Sequence, residues 1–201
     1  MREIADMMRL VLPFAPGCPE PVAVQYLREA AITFCERTRI WRASDKFNVQ
    51  GGCDEVLCTP SYAQIYEIER AWFNDRDLEP APYGGFDRHE YRDALPRYIT
   101  QASPESVRLV PGALEEGVLT LSLFLKPSQD AEDLPDILTE HERVIADGAL
   151  NRILLIPNQP FTSPDMAAAY GQSFQSGLDR LFNLNVRGKQ RAPVRIRGRY
   201  F

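Results

Sequence analysis

The spacing of apolar residues changes twice along this chain, and those two changes limit the fold more than any single motif does. From Pro21 onward Val24, Leu27, Ala31, Phe34, Thr38 and Trp41 recur at intervals of three and four, the seam of a helix roughly 30 Å long. After Trp41 the period becomes two, and from Pro135 it turns helical again. Helical ends around an alternating middle predict an α+β chain. The N- and C-terminal helices form a bundle, and a small antiparallel β-sandwich or barrel is inserted between them, followed by an extended C-terminal arm. The expected units are 1–43 (first helices), 44–130 (inserted β domain), 131–185 (last helices) and 186–201 (arm).

The elements follow from the same periods and their punctuation. Ile4, Met7, Met8 and Val11 mark a short amphipathic helix over Arg2 to Leu12, closed by Pro13. Four prolines between Pro13 and Pro21 make a stiff connector, and Pro21 sits in the first turn of the long helix. Strands are expected at Lys46–Gln50, Glu55–Thr59, Gln64–Phe73, Arg97–Gln101, Val107–Pro111 and Val118–Lys126, with a hairpin at Asn74 to Asp77 leading into Leu78–Pro80. Phe86 to Leu95 reads as a helical turn or two. Ile137, His141, Val144, Gly148 and Leu155 are expected to share one face of the next helix, stopped by Pro157 and Pro160. Ser163-Pro164-Asp165 opens the last one, lined by Tyr170, Phe174, Leu178 and Leu181.

Charge is distributed unevenly. Of 23 basic residues, Arg187, Lys189, Arg191, Arg195, Arg197 and Arg199 follow position 186, where no acid occurs. The body keeps 17 basic against 28 acidic residues, a net of −11, beside a tail of +6. Such a body repels nucleic acid, and the tail, with Pro193 and two glycines, reads as an extended arm. Val194, Ile196 and Tyr200 alternate with Arg195, Arg197 and Arg199, and Phe201 follows. That pattern suits a strand added to a partner's sheet or groove. No apolar run approaches the roughly 20 residues of a membrane span, and the first residues lack a signal-peptide pattern, so a soluble, unexported chain is expected.

Chemistry is sparse. There is no phosphate loop, nucleophile elbow or His-Glu-x-x-His motif, and no cofactor or metal is expected. Cys18, Cys35, Cys53 and Cys58 are too scattered for the usual zinc pattern and read as reduced, buried thiols. His141, between Glu140 and Glu142 on the seam side of a helix, reads as a packed or interface histidine rather than a general base. His89, with Asp87, Glu90 and Asp93 nearby, offers a metal-ligand set against a plain polar loop. Glu67 and Glu69 share one face of a strand, as paired carboxylates or as a solvated face. Ser173 and Ser176, between Gly171 and Gly177, read as small residues at a packing surface. Arg37, Arg39 and Arg42 close the long helix at its negative end and, with Trp41, form a candidate subunit interface.

Several short runs, in order, carry a resemblance. Pro16-Gly17-Cys18-Pro19-Glu20-Pro21, Phe34-Cys35-Glu36-Arg37-Thr38 and Trp41-Arg42 come first. Leu134-Pro135, Gly148-Ala149-Leu150 and the Ile156-to-Phe161 corner follow, then Ala168, Tyr170, Phe174 and Gly177. Together they resemble the head-to-tail adaptor proteins of tailed bacteriophages, the group that includes podophage tail tubular protein A. The resemblance implies a structural, non-enzymatic virion protein, assembled in the host cytoplasm and placed at the head–tail junction. It implies a twelve-subunit ring beneath the portal protein that offers a platform to the tail or nozzle. Genomic DNA passes through its channel without specific binding, and the protein has no membrane partner. It also implies that the segment matching the family's C-terminal arm, residues 186–201, reaches the portal. Two other classes stand beside this reading: a nucleic-acid-binding accessory protein that uses the basic arm, and a small β-domain enzyme built around His89.

Overall fold

A computed structural model describes residues 1–60, 62–82 and 95–186, and the side chain of Val186 is outside that description. Strand β1 (Arg2–Glu3) leads into a 3-10 turn at Ile4–Met7 and the four-residue helix α1 (Met8–Val11). The expected single helix over Arg2 to Leu12 is thus broken into three short pieces. Its first residues are drawn off into a two-stranded pairing, Arg2 opposite Leu134 and Glu3 opposite Asp133.

The long helix α2 (Glu20–Thr38) starts with Pro21 in its first turn and buries Ala23, Leu27, Ala30, Ala31, Phe34, Cys35 and Thr38. It stops three residues before Trp41, because Arg39 adopts a left-handed conformation (φ 52°) and its N–H bonds the Cys35 carbonyl. A non-glycine residue there needs support, and α5 supplies it. Helix α5 (Pro164–Val186) brings Asn185 beside the end of α2, where the amide Nδ2 donates to the Thr38 and Arg39 carbonyls at 2.9 and 2.6 Å.

Strands β2 (Arg42–Val49), β3 (Glu55–Leu57), β4 (Ala63–Phe73), β5 (Arg76–Pro80), β6 (Tyr98–Gln101), β7 (Ser106–Val110) and β8 (Gly117–Pro127) form one sheet in the order β2-β8-β4-β5-β6-β7-β3. The sheet curls into a nearly closed barrel. One edge of the expectation changes, since β5 and β6 run parallel while every other neighbour pair in this sheet is antiparallel. Asn74 and Asp75 both have positive φ (48° and 63°), the geometry of a two-residue hairpin turn, and join β4 to β5. Leu119, Leu121, Leu123 and Leu125 of β8 point inward at period two.

After strand β9 (Asp133–Leu134), helices α3 (Asp136–Thr139) and α4 (Glu142–Ile153) replace the single helix expected from Pro135. The break at Glu140 and His141 shifts the phase. Leu138, Ile145, Ala149 and Ile153 are buried, whereas Ile137 and Leu155, expected on the inner face, are exposed. Helices α2, α4 and α5 pack on one another, and α2 also rests on β8. The buried side chains form one continuous cluster from Ile4 through the sheet to Leu181.

Glycines, not serines, set the α4–α5 approach. A Cβ on Gly177 would lie 2.8 Å from Val144 Cγ1, and one on Gly171 would lie 2.5 Å from Asn151 Nδ2. Ser173 and Ser176 face outward, with Ser173 Oγ donating to Asp147 Oδ2 at 2.6 Å. At the far end of the barrel a side chain on Gly117 would overlap the Phe73 ring and stand 2.8 Å from the Asn74 amide. Gly117→Val is therefore expected to lower stability by about 1–3 kcal/mol through overpacking, read as a lower urea midpoint at unchanged slope.

Candidate functional site

The helix–sheet junction gathers most of the singled-out residues. Only Arg37 belongs to α2; Arg39 is its left-handed cap and Arg42 opens β2. The three are therefore not a row closing a helix. Arg39 pairs with Glu67 at 2.7 Å and Arg42 with Glu69 at 2.8 Å, while Ser122 Oγ donates to the other Glu69 oxygen at 2.7 Å. Both guanidinium groups also lie over the Phe124 ring, 5.8 and 5.2 Å from its centroid, which explains how an outward-facing phenylalanine is only 7% exposed.

Two register shifts in β4, between Ile65 and Glu67 and between Ile68 and Arg70, place Glu67 opposite Phe124 and turn both acids to the arginines. Glu67 and Glu69 are thus held as ion-pair acceptors. Trp41 lies between the arginines in sequence but inside the chain in space, 8% exposed and stacked on Tyr62 with planes 10° apart. Beside this latch, a cleft of about 250 Å³ separates the ends of α2 and α5, lined by Glu36, Arg37, Arg39, Leu178, Asp179 and Phe182. Sequence reasoning found Arg37, Arg39, Trp41 and Arg42 but missed Glu67 and Glu69 as their partners, and missed Asn185 and Phe124. The only signal available was the abrupt change of period after Trp41, which marks a junction without saying what crosses it.

The other candidates are placed as follows. Arg187, Lys189, Arg191, Val194, Arg195, Ile196, Arg197, Arg199, Tyr200 and Phe201 lie outside the described residues, as do His89, Asp87, Glu90 and Asp93. His141 sits at the start of α4 with its ring 5.6 Å from Phe34. All four cysteines are free thiols, Cys18 and Cys35 buried. Burial pushes the Cys58 thiol up to about 12 and also raises that of Cys35, with Glu36 adding to the second shift and Lys126 opposing it. Cys53 Sγ and Cys58 Sγ each donate to a backbone carbonyl of the segment between them, Glu55 at 3.0 Å and Val56 at 3.1 Å. Among the described residues no group of three His, Cys, Asp or Glu is arranged to hold a metal, and no helix is long and apolar enough to cross a membrane.

One carboxylate is shifted by its surroundings. Ser106 Oγ donates to Glu55 at 2.5 Å and Arg108 Nη2 at 3.2 Å, and these bonds hold the Glu55 carboxyl below the usual carboxylate range. A carboxyl lowered in the folded state contributes stability above its unfolded pKa and loses it as pH falls through the folded one. Glu55→Gln should therefore lower stability slightly at neutral pH and flatten the acid limb, so that wild type and variant converge in thermal melts as pH falls through the lowered folded-state pKa.

Helices packed beside a curled, mostly antiparallel sheet, with polar latches between them, make this an α+β protein whose described features are ion pairs and packing surfaces. Residues 2–197 match the SU10 adaptor protein family, and the chain belongs to that family. It is accordingly a bacteriophage adaptor, a structural part of the virion whose partners are other virion components. No curated protein matches the chain.

Proposed function

We propose that this adaptor, similar to podophage tail tubular protein A, closes into a twelve-subunit ring that joins the portal to the tail at the head–tail junction and continues the DNA channel. The observation that carries the reading is the extent of the family match, residues 2–197, which includes helices, sheet and most of the arm. Residues 1–43 and 131–185 serve as the helical body, 44–130 as the β domain, and 186–201 as the arm that grips the portal. Arg37, Arg39 and Arg42 belong to the contact between subunits, with Trp41 holding the backbone that presents them. No cofactor takes part.

The charge distribution supports passage of DNA. A body of net −11 repels the duplex along the channel wall, so DNA slides without adhering. A chain ending at Val186 should accordingly show no measurable duplex binding at moderate salt; tight binding would favour the accessory-protein reading. Ring formation is tested by native mass measurement and electron microscopy of the full chain with and without portal. A monomer alone and a twelve-fold ring with portal are expected, whereas a stable dimer in both conditions would overturn the assignment.

A further inference from the structure

Two exposed features at the same end of the helices complement each other. One is the cleft between α2 and α5. Its floor is Leu178 and the 38%-exposed Phe182, and its rim carries Arg37, whose pair with Asp179 is stretched to 4.0 Å and whose side chain is 60% exposed. The other is the most acidic stretch of the chain. Residues 130–142 hold six acids and no Lys or Arg, and the exposed Ile137 stands among them. Asp136 pairs with the N-terminal amine and Glu142 with Arg2 and Arg9. Glu132 and Asp133 line a groove with Arg28 beside the middle of α2, whereas Glu140, which has no ion pair among the described residues, stands at the end of the helices and is available to an outside cation.

The two features are level but face different ways. His141 touches Phe34, one turn before the end of α2, and Glu140 shares a groove with Arg180, so the start of α4 stands beside the last turns of α5. That groove opens on the α4 flank of α5, whereas the cleft with Asp179 and Phe182 opens on the α2 flank. Two unlike, complementary patches at one height on different flanks are what a head-to-tail contact around a closed ring requires.

The geometry points to a contact between two copies of this chain, in which Ile137 of one copy enters the α2–α5 cleft of the next and Glu140 meets Arg37. This rests on the ring reading above and names the surfaces that build it. The cleft admits one aliphatic side chain onto Leu178 and Phe182, and the pairing of Glu140 with Arg37 fixes the register.

A charge-swap experiment on the full chain with portal tests it. Arg37→Glu sets two carboxylates against each other in every contact, and Glu140→Arg sets two guanidinium groups together. Each variant alone should give about tenfold fewer rings, counted by electron microscopy. In an equimolar mixture the two variants alternate around an even-numbered ring, every contact pairs a carboxylate with a guanidinium, and ring yield should recover. The double variant Arg37→Glu with Glu140→Arg restores the same pairing within a single chain, without requiring alternation, and its ring yield should also recover. Recovery also shows that both substitutions leave the chain folded. Normal ring yield from either single variant, or no recovery in the double variant, overturns this contact while leaving the ring standing. Failure of the unaltered chain to form rings with portal overturns the ring reading and this contact together.

Discussion

Deleting Pro193 to Phe201 should abolish attachment to the portal while leaving the far-ultraviolet circular dichroism and thermal midpoint of the chain unchanged. The two halves of that expectation come from different observations. The fold half rests on packing, because the hydrophobic cluster runs from Ile4 to Leu181 and Asn185 makes the last described contact of the body, so nothing described is lost. The attachment half rests on the removed sequence. It takes Arg195, Arg197 and Arg199 together with Val194, Ile196, Tyr200 and Phe201, and with them the alternation of cationic and apolar groups suited to a strand laid on an acidic partner. A purely electrostatic tail would lose its hold gradually with added salt, since the screening length falls to about 3 Å at 1 M. A strand with apolar pockets for its aromatics should retain part of its hold at high salt. Normal attachment by the truncated chain in a pull-down with portal would show that the arm is not the gripping element.

The fold was legible where one period dominates and no partner interferes. Helix α2 and strand β8 each present a single uninterrupted pattern, and both lie within a few residues of expectation because a half-buried regular element must repeat its apolar residues at its own period. The errors fall where a long-range contact decides. Arg2 and Glu3 pair with Leu134 and Asp133, far along the chain, which breaks the first helix at a place no local pattern marks. The phase slip at Glu140 and His141 exposes Ile137 and Leu155, and nothing in the spacing of Ile137, His141 and Val144 distinguishes a continuous helix from two short ones. For the junction, the sequence displayed the arginines but not their acceptors. Glu69 is 27 residues downstream of Arg42, and it is the pair of bulges in β4 that turns Glu67 and Glu69 toward Arg39 and Arg42. The left-handed turn at Arg39 was equally invisible, since its support comes from Asn185 at the other end of the chain.

Trp41→Ala should cost about 3–5 kcal/mol, a large share of the roughly 5–15 kcal/mol that holds a domain of this kind together. The indole is 8% exposed, stacks on Tyr62 at a centroid distance of 6.1 Å, and belongs to the cluster shared by helices and sheet. Its carbonyl accepts the Leu125 N–H at 2.8 Å, extending the β2–β8 pairing to the end of the helix, so loss of the ring loosens the backbone that positions Arg39 and Arg42. The neighbouring arginines are far less costly to remove. Arg42 is half exposed and its pair with Glu69 lies at the surface, where such a bond contributes about 0–1 kcal/mol. Urea unfolding of the isolated chain separates the two effects: a large drop in midpoint for Trp41→Ala, a smaller one for Trp41→Phe, and little change for Arg42→Ala. The opposite pattern is the informative alternative. If Trp41→Ala left the isolated chain as stable as before and reduced only ring formation, the indole would act between subunits, and the latch of Arg39 and Arg42 on Phe124 would have to hold the junction without it.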